Sequence, residues 1–213
     1  MSTSSSVERS ACSDQAGIFK SGDFGGVWRV VHGVVRMDRE SGPLRLPVQL
    51  ALPGDLVGVE ALCDLPYQFS ASAFTHCRLE RVFVRDETHR QALLRQALLQ
   101  QQRRSQDMAN LRTGSVAQRM GHLLGLLGLP WKGLQLESAG ASDAVRNALP
   151  SLLELSEVVD AKRETVCRVL AQLLPPRSRK GRPQSAAARE GISAGNLRLG
   201  GWTVANVPFV SAA

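Results

Sequence analysis

No stretch of this chain stays apolar for the roughly 18–20 residues that a membrane-spanning helix needs. The opening residues, MSTSSSVERSACSD, lack the charged-then-apolar order of a secretion signal. A soluble, cytoplasmic protein with no membrane partner is the resulting expectation. Cysteine is sparse and scattered: Cys12, Cys63, Cys77 and Cys167 form no C-x-x-C pair. That argues against a disulfide framework and against a structural zinc site. An iron–sulfur cluster needs four well-placed cysteines, and only Cys12 lies near the N-terminus. Histidine is scarce too. The segment from Gly17 to Val84 holds only His32 and His76, with no H-x-H pair to build a cupin-like metal centre. His32, His76, His89 and Cys77 stay open as axial haem ligands, and Cys63 with Cys77 as a redox pair. There is no G-x-S-x-G, no P-loop and no Rossmann glycine set. The chain is therefore read as no enzyme, with no metal and no cofactor.

What is present is a core and an excess of positive charge. The 213 residues leave room for one or two domains, and 43% of them are hydrophobic. The net charge of +7 favours an anionic partner, and it is unevenly spread. Residues 162–198 hold nine Lys/Arg against two acids, Glu164 and Glu190. Double-stranded DNA would be served by such a distribution. A plain basic tail would also produce it.

The texture changes along the chain. Residues 1–15 are Ser-rich and read as disordered. From Gly17 to Val84, short β-branched runs such as Trp28–Val31 and Val34–Arg36 alternate with Gly22, Gly33, Gly54 and Gly58. Many short strands with glycine turns predict a small sandwich or barrel. From Glu87 to Leu127, apolar residues recur at threes and fours, including Leu93, Leu94, Leu98, Met108, Leu111, Met120 and Leu123. A helix that long outruns one small roll. A symmetric partner helix is its natural cover, and packing wholly within its own subunit is the alternative. Gly114 is a candidate kink, and Gln100–Arg104 interrupts the apolar seam. Residues 131–148 read as a loop or weak hairpin, 177–190 as a basic insert, and 192–210 as a candidate hairpin around Gly200-Gly201.

Residues 149–174, LPSLLELSEVVDAKRETVCRVLAQLL, read as two short helices with a tight turn at Asp160-Ala161. At about 100° per residue, Arg163, Glu164, Cys167 and Arg168 share an arc of roughly 140°. Val166, Val169, Leu170 and Leu173 occupy the opposite arc. One face can pack while the other offers arginines to phosphate or guanine and a carboxylate to cytosine. A surface helix pair with solvated charges has the same spacing.

RETVCRVLAQL resembles the recognition helix of the cyclic-AMP receptor / fumarate-nitrate regulator (CRP/FNR) family, usually R-E-T-V-x-R-x-L. VAQRMGHLLGLLG resembles the first helix of that family's DNA-binding domain. IFKSGDFGGVWRVVHGVVRM and LPGDLVGVEALCDLPYQFSASAFTHCRLERV resemble its sensor roll. The chain begins late relative to the family, so that its first strand or helix is expected to be trimmed.

The resemblance implies base reading by Arg163, Glu164 and Arg168, phosphate contacts by Ser151 and Thr165, and an added cation at Lys162. The family's turn glycine is Asp160 here, and its Ser/Thr before the arginine is Lys162. The fold implied is α+β: a disordered N-terminus (1–15), a jelly-roll, cyclic-nucleotide-binding-like sensor domain (16–86), a dimerisation helix (87–113) and a winged helix-turn-helix domain (114–213). The partners implied are double-stranded DNA, a second copy of the chain, RNA polymerase and a small-molecule effector.

The effector pocket would fall at Gly58, Glu60, Ser70 and Ala71. A cyclic nucleotide there needs an arginine for its phosphate, and this chain offers Phe69 in that place. A buried phosphate without a cation costs several kcal/mol, about the scale of a whole domain's stability, so a cyclic nucleotide is not the expected effector. The alternative function is an effector-binding or scaffolding protein whose helical pair is a protein-interaction module.

Overall fold

The computed structural model describes residues 9–12, 17–42, 44–129 and 145–174. All of them lie in the first of the chain's two compact units, Met1–Ser178. Among the described residues eight strands come first: β1 (Arg9–Cys12), β2 (Gly17–Phe19), β3 (Val27–His32), β4 (Val35–Ser41), β5 (Leu44–Ala51), β6 (Leu56–Val57), β7 (Ser70–Ala73) and β8 (Cys77–Val82). They make two four-stranded sheets, in the orders β1-β8-β3-β6 and β2-β7-β4-β5, with antiparallel pairings. Inward-facing residues of both sheets meet in one core: Val30, Val57, Cys77 and Leu79 against Val35, Met37, Ala51, Ala71 and Ala73. This is the expected roll, because β-branched residues alternate with polar ones on short strands.

One expectation for the N-terminus is corrected. Residues 1–15 are not wholly irregular, since Arg9–Cys12 pairs with β8, Arg9 opposite Glu80 and Cys12 opposite Cys77. Serine-rich composition reports poor burial, but a strand edge needs only backbone partners. β8 already uses one side for β3, and β1 fills the other.

Helix α1 spans Glu87–Asn110, capped by the Asp86 carboxylate, which accepts from His89 N. It lies along the roll. Leu93 packs with Val27, Leu56 and Leu62. Arg104 Nε reaches Asp55 Oδ2 at 2.7 Å. Gln100, expected to interrupt the seam, instead fastens it: its Oε1 accepts from Leu56 N at 2.7 Å and its Nε2 donates to Leu56 O at 2.8 Å. An amide side chain satisfies a strand's donor and acceptor together, a use that an apolar-period argument does not see. Gln100→Leu is expected to lower stability by about 2–4 kcal/mol, because both Leu56 groups lose their partner. Urea denaturation checks this. The outward side of α1 carries Leu98 and Leu99, exposed at 62% and 54%.

The helix ends at Asn110, four residues before the candidate kink at Gly114. Gly114 has φ +82°, and Ser115 starts α2 (Val116–Leu126) with a capping box to Gln118. Residues 145–148 are helical, not the loop or hairpin expected there; residues 130–144 lie outside the described residues. Helices α3 (Leu152–Val158) and α4 (Arg163–Leu173) follow. Their apolar faces share one cluster with α2 and the end of α1: Met108, Leu111, Met120, Leu123, Leu155, Val158, Val159, Val166 and Leu170. Val34, Leu50 and Phe74 of the roll belong to the same cluster. Leu153 of α3 is exposed. The basic insert and the candidate hairpin at 192–210 lie outside the described residues.

Candidate nucleic-acid interface

Helix α4 separates its two faces as its sequence requires. Val166, Val169 and Leu170 are buried, while Arg163, Glu164, Cys167 and Arg168 are exposed. Thr165 is half-buried between them. The turn before α4 is tight even without glycine. Asp160 takes φ +48°, a conformation its short polar side chain tolerates, and Ala161 N donates to Ser156 O at 3.0 Å. Arg119 of α2 braces this turn, with Nη1 donating to Val159 O at 2.8 Å and to Asp160 O at 3.0 Å. Lys162 stands at the N-cap of α4 with no side-chain capping bond. Its ammonium is exposed beside Arg163, so the lost cap leaves a cation at the mouth of the helix. Ser151 caps α3 in a capping box, its Oγ donating to Glu154 Oε2 at 2.7 Å. The structure thus brings Arg163, Glu164 and Arg168 onto one exposed face of α4, with Lys162 exposed at its N-terminus. Ser151 sits at the start of the other helix of the pair.

The four effector-pocket residues are engaged by the roll itself. Glu60 lies in a 3-10 turn (Val59–Cys63) and accepts from Gln68 N at 3.1 Å. Ser70 Oγ donates to Glu40 Oε1 at 2.6 Å and accepts from Ser21 N. Ala71 is buried between sheets. Gly58 lies against Tyr67, whose ring a Cβ at Gly58 would meet at 2.6 Å. The Tyr67 ring stacks on Phe19 at 4.0 Å, and its hydroxyl donates to Gly26 O at 2.7 Å. Burial holds that hydroxyl above its ordinary pKa, so it remains a neutral donor. Phe69 packs half-buried on the roll core.

The other candidates are dispersed. His32 and His76 are exposed, and no group of three or more His, Cys, Asp or Glu suited to a metal occurs among the described residues. No disulfide joins Cys63, which is exposed, to Cys77, which is fully buried.

Sequence reasoning missed a charged chain on β4 and β5. Arg36 and Asp38 are 4% and 0% exposed, although they alternate with the inward-facing Val35 and Met37. Arg36 Nε donates to Asp38 Oδ1 at 2.7 Å, and Arg36 Nη1 donates to Glu157 Oε2 of α3 at 2.5 Å. Arg45 Nη2 lies 2.9 Å from Asp38 Oδ2. Burial alone would weaken the Arg36 charge. The hydrogen bonds and negative charges of Asp38 and Glu157 outweigh it, and the guanidinium pKa lies above its ordinary value. The alternation of V-R-M-D in β4 gave only the sign of a half-solvated strand.

A β-roll, a lengthwise helix and a helix-turn-helix in that order have close structural parallels. A CRP-family transcriptional regulator from Thermus thermophilus is 25% identical to this chain, with a TM-score of 0.57 over 78% of this chain and 83% of the other. A CRP/FNR-family regulator of the same organism is 26% identical, with a TM-score of 0.52 over 78% and 85%. The fold of this chain is that of the CRP/FNR-type regulators. FixK2 from Bradyrhizobium japonicum shares that fold at 20% identity, with a TM-score of 0.55 over 78% and 84%. No family model and no curated protein matches the chain. Against the CRP/FNR pattern, the α4 residues R-E-T-V-x-R-x-L are intact.

Proposed function

We propose that this protein is a sequence-specific DNA-binding transcription regulator that acts as a homodimer on a two-fold symmetric operator. The observation that carries the reading is α4: an exposed face of Arg163, Glu164 and Arg168 over a buried face of Val166, Val169 and Leu170. Inserted in a major groove, the two arginines meet guanine O6/N7 edges and Glu164 accepts from cytosine N4. Lys162, Thr165 and Ser151 lie where backbone phosphates would pass. Two copies place their helices about one helical turn, ~34 Å, apart. α1 supplies a pairing face, since Leu98 and Leu99 are exposed on a helix whose other side is fixed to the roll. The effector, if it binds in the roll, is not a cyclic nucleotide. Phe69 stands in place of the phosphate-binding arginine, and Tyr67 and Phe19 fill the space near Gly58.

The test is binding to duplexes selected by the protein from a random library. Arg163→Ala and Arg168→Ala are each expected to weaken binding about 5- to 150-fold and to relax the preference at one base per half-site. Affinity should fall steeply with salt as phosphate contacts release counterions. Wild-type sequence discrimination in both variants would sink the base-reading roles. No duplex binding even at low salt would move the helical pair to a protein-interaction role.

A further inference from the structure

Helix α3 lies over a face of the roll that a strand pattern assigns to water. Arg36 and Asp38 point away from the Val35–Met37 core, yet both are buried. Arg36 meets Glu157 of α3, and Asp38 lies between Arg36 and Arg45. A cavity of about 290 Å³ there is lined by Arg36, Arg45 and Ser72 of the roll and by Ser151, Glu154 and Glu157 around α3. Glu157 reaches across with a direct bond, to Arg36 Nη1. Its side chain keeps 36% exposure, so water already reaches it.

Arg36 has no such exposure. It is tied to Asp38, which is held in turn by Arg45. The guanidinium is a fixed post, and Glu157 is the half of the contact that water reaches.

We infer that Arg36 and Glu157 are positioning residues for α4: their contact holds the helical pair at one angle to the roll and so sets the spacing of the two reading helices in a dimer. The inference rests on the DNA-reading assignment for its consequence, though not for the contact itself. The apolar cluster of Val34, Leu50 and Phe74 with α2, α3 and α4 supplies adhesion, which is non-directional. A charge-assisted bond of fixed geometry adds the direction that adhesion lacks. The reading face of α4 remains exposed in this arrangement, so the contact presents it and does not cover it.

Two exposed native thiols report the angle. Cys63 sits on the roll and Cys167 on α4. Spin labels on both, in a full-length Cys12→Ser background diluted with unlabelled protein, give their separation. Wild type and Glu157→Asp are expected to show one narrow distance. Glu157→Lys, which places a cation against Arg36, is expected to add a second, longer population. Glu157→Gln, which removes the charge without repulsion, should lie between, and serves alone if the lysine variant does not fold.

The functional readout, on unlabelled protein, is half-site spacing. Wild type should reject a selected operator whose half-sites are moved by about two base pairs. Glu157→Lys should lose that rejection, and Glu157→Asp should retain it. The thermal midpoint, measured alongside, accounts separately for lost stability, which would not change spacing preference. A single narrow distance in Glu157→Lys and Glu157→Gln overturns the contact as a positioning device. A broadened distance with unchanged spacing preference overturns its role in DNA reading. If wild type binds no duplex, the DNA assignment fails, and the distances alone decide whether the contact fixes the angle.

Discussion

Asp38→Ala is expected to destabilise the protein by about 3–5 kcal/mol, the largest loss anticipated for a single side chain outside the apolar core. The carboxylate is fully buried and serves two cations. One oxygen accepts from Arg36 Nε at 2.7 Å. The other makes a close charge contact with Arg45 Nη2 at 2.9 Å, without a directed hydrogen bond. Removing the acid leaves Arg36 buried with Glu157 as its remaining anion, and that anion is partly solvated. Much of the loss is the cost of the uncompensated guanidinium and only a part is the worth of the pair itself. Asp38→Asn keeps an acceptor for Arg36 and should cost less. Urea unfolding with an unchanged m-value checks both. A loss below about 1 kcal/mol for Asp38→Ala would show that Arg36 finds water or another anion when its partner is gone.

Gly33→Val is expected to cost more than about 3 kcal/mol and to lower the thermal midpoint accordingly. Gly33 has φ +77°, a conformation a β-branched residue resists. Space forbids the side chain as well. A Cβ at this position would lie 2.2 Å from His76 O and 2.8 Å from Cys77 Cα. Both are backbone atoms, so the β3–β4 turn would have to part from the β7–β8 turn. That parting breaks the bond from Phe74 N to Val34 O at 2.9 Å and the bond from Val34 N to Thr75 Oγ1 at 2.9 Å. It also opens the cluster that Val34 and Phe74 share with the helices. A midpoint close to wild type would mean that the two turns separate freely.

The residues differed in how openly they declared their roles. Glycines at 33 and 58 and short β-branched runs announced a roll, because turns and pleats are local. The two faces of α4 were legible for the same reason: 3.6-residue periodicity needs no knowledge of the rest of the chain. Gln100 and Arg36 were not legible. Each is a polar residue whose partner lies at least 44 positions away, Leu56 for Gln100 and Glu157 for Arg36. Periodicity assigns such residues to water by default. Strand β1 was hidden for a related reason, since an edge is filled through backbone groups that every residue carries. Asp160 read as a departure from the family's turn and is instead a working substitute. The compensating brace, Arg119, comes from a helix 41 residues upstream.

The shared cluster also bears on the order in which the chain is made. Val34, Leu50 and Phe74 leave the ribosome early, while Leu155, Val158, Val166 and Leu170, which cover them, follow some eighty or more residues later. At about 5–20 residues per second, that interval lasts several seconds. Throughout it the roll's apolar patch lacks its α3 and α4 neighbours, next to the charged face of Arg36 and Asp38. Those buried charges, costly in the mature protein, are then hydrated and flank the patch, keeping the half-made chain dispersed until its own helices arrive.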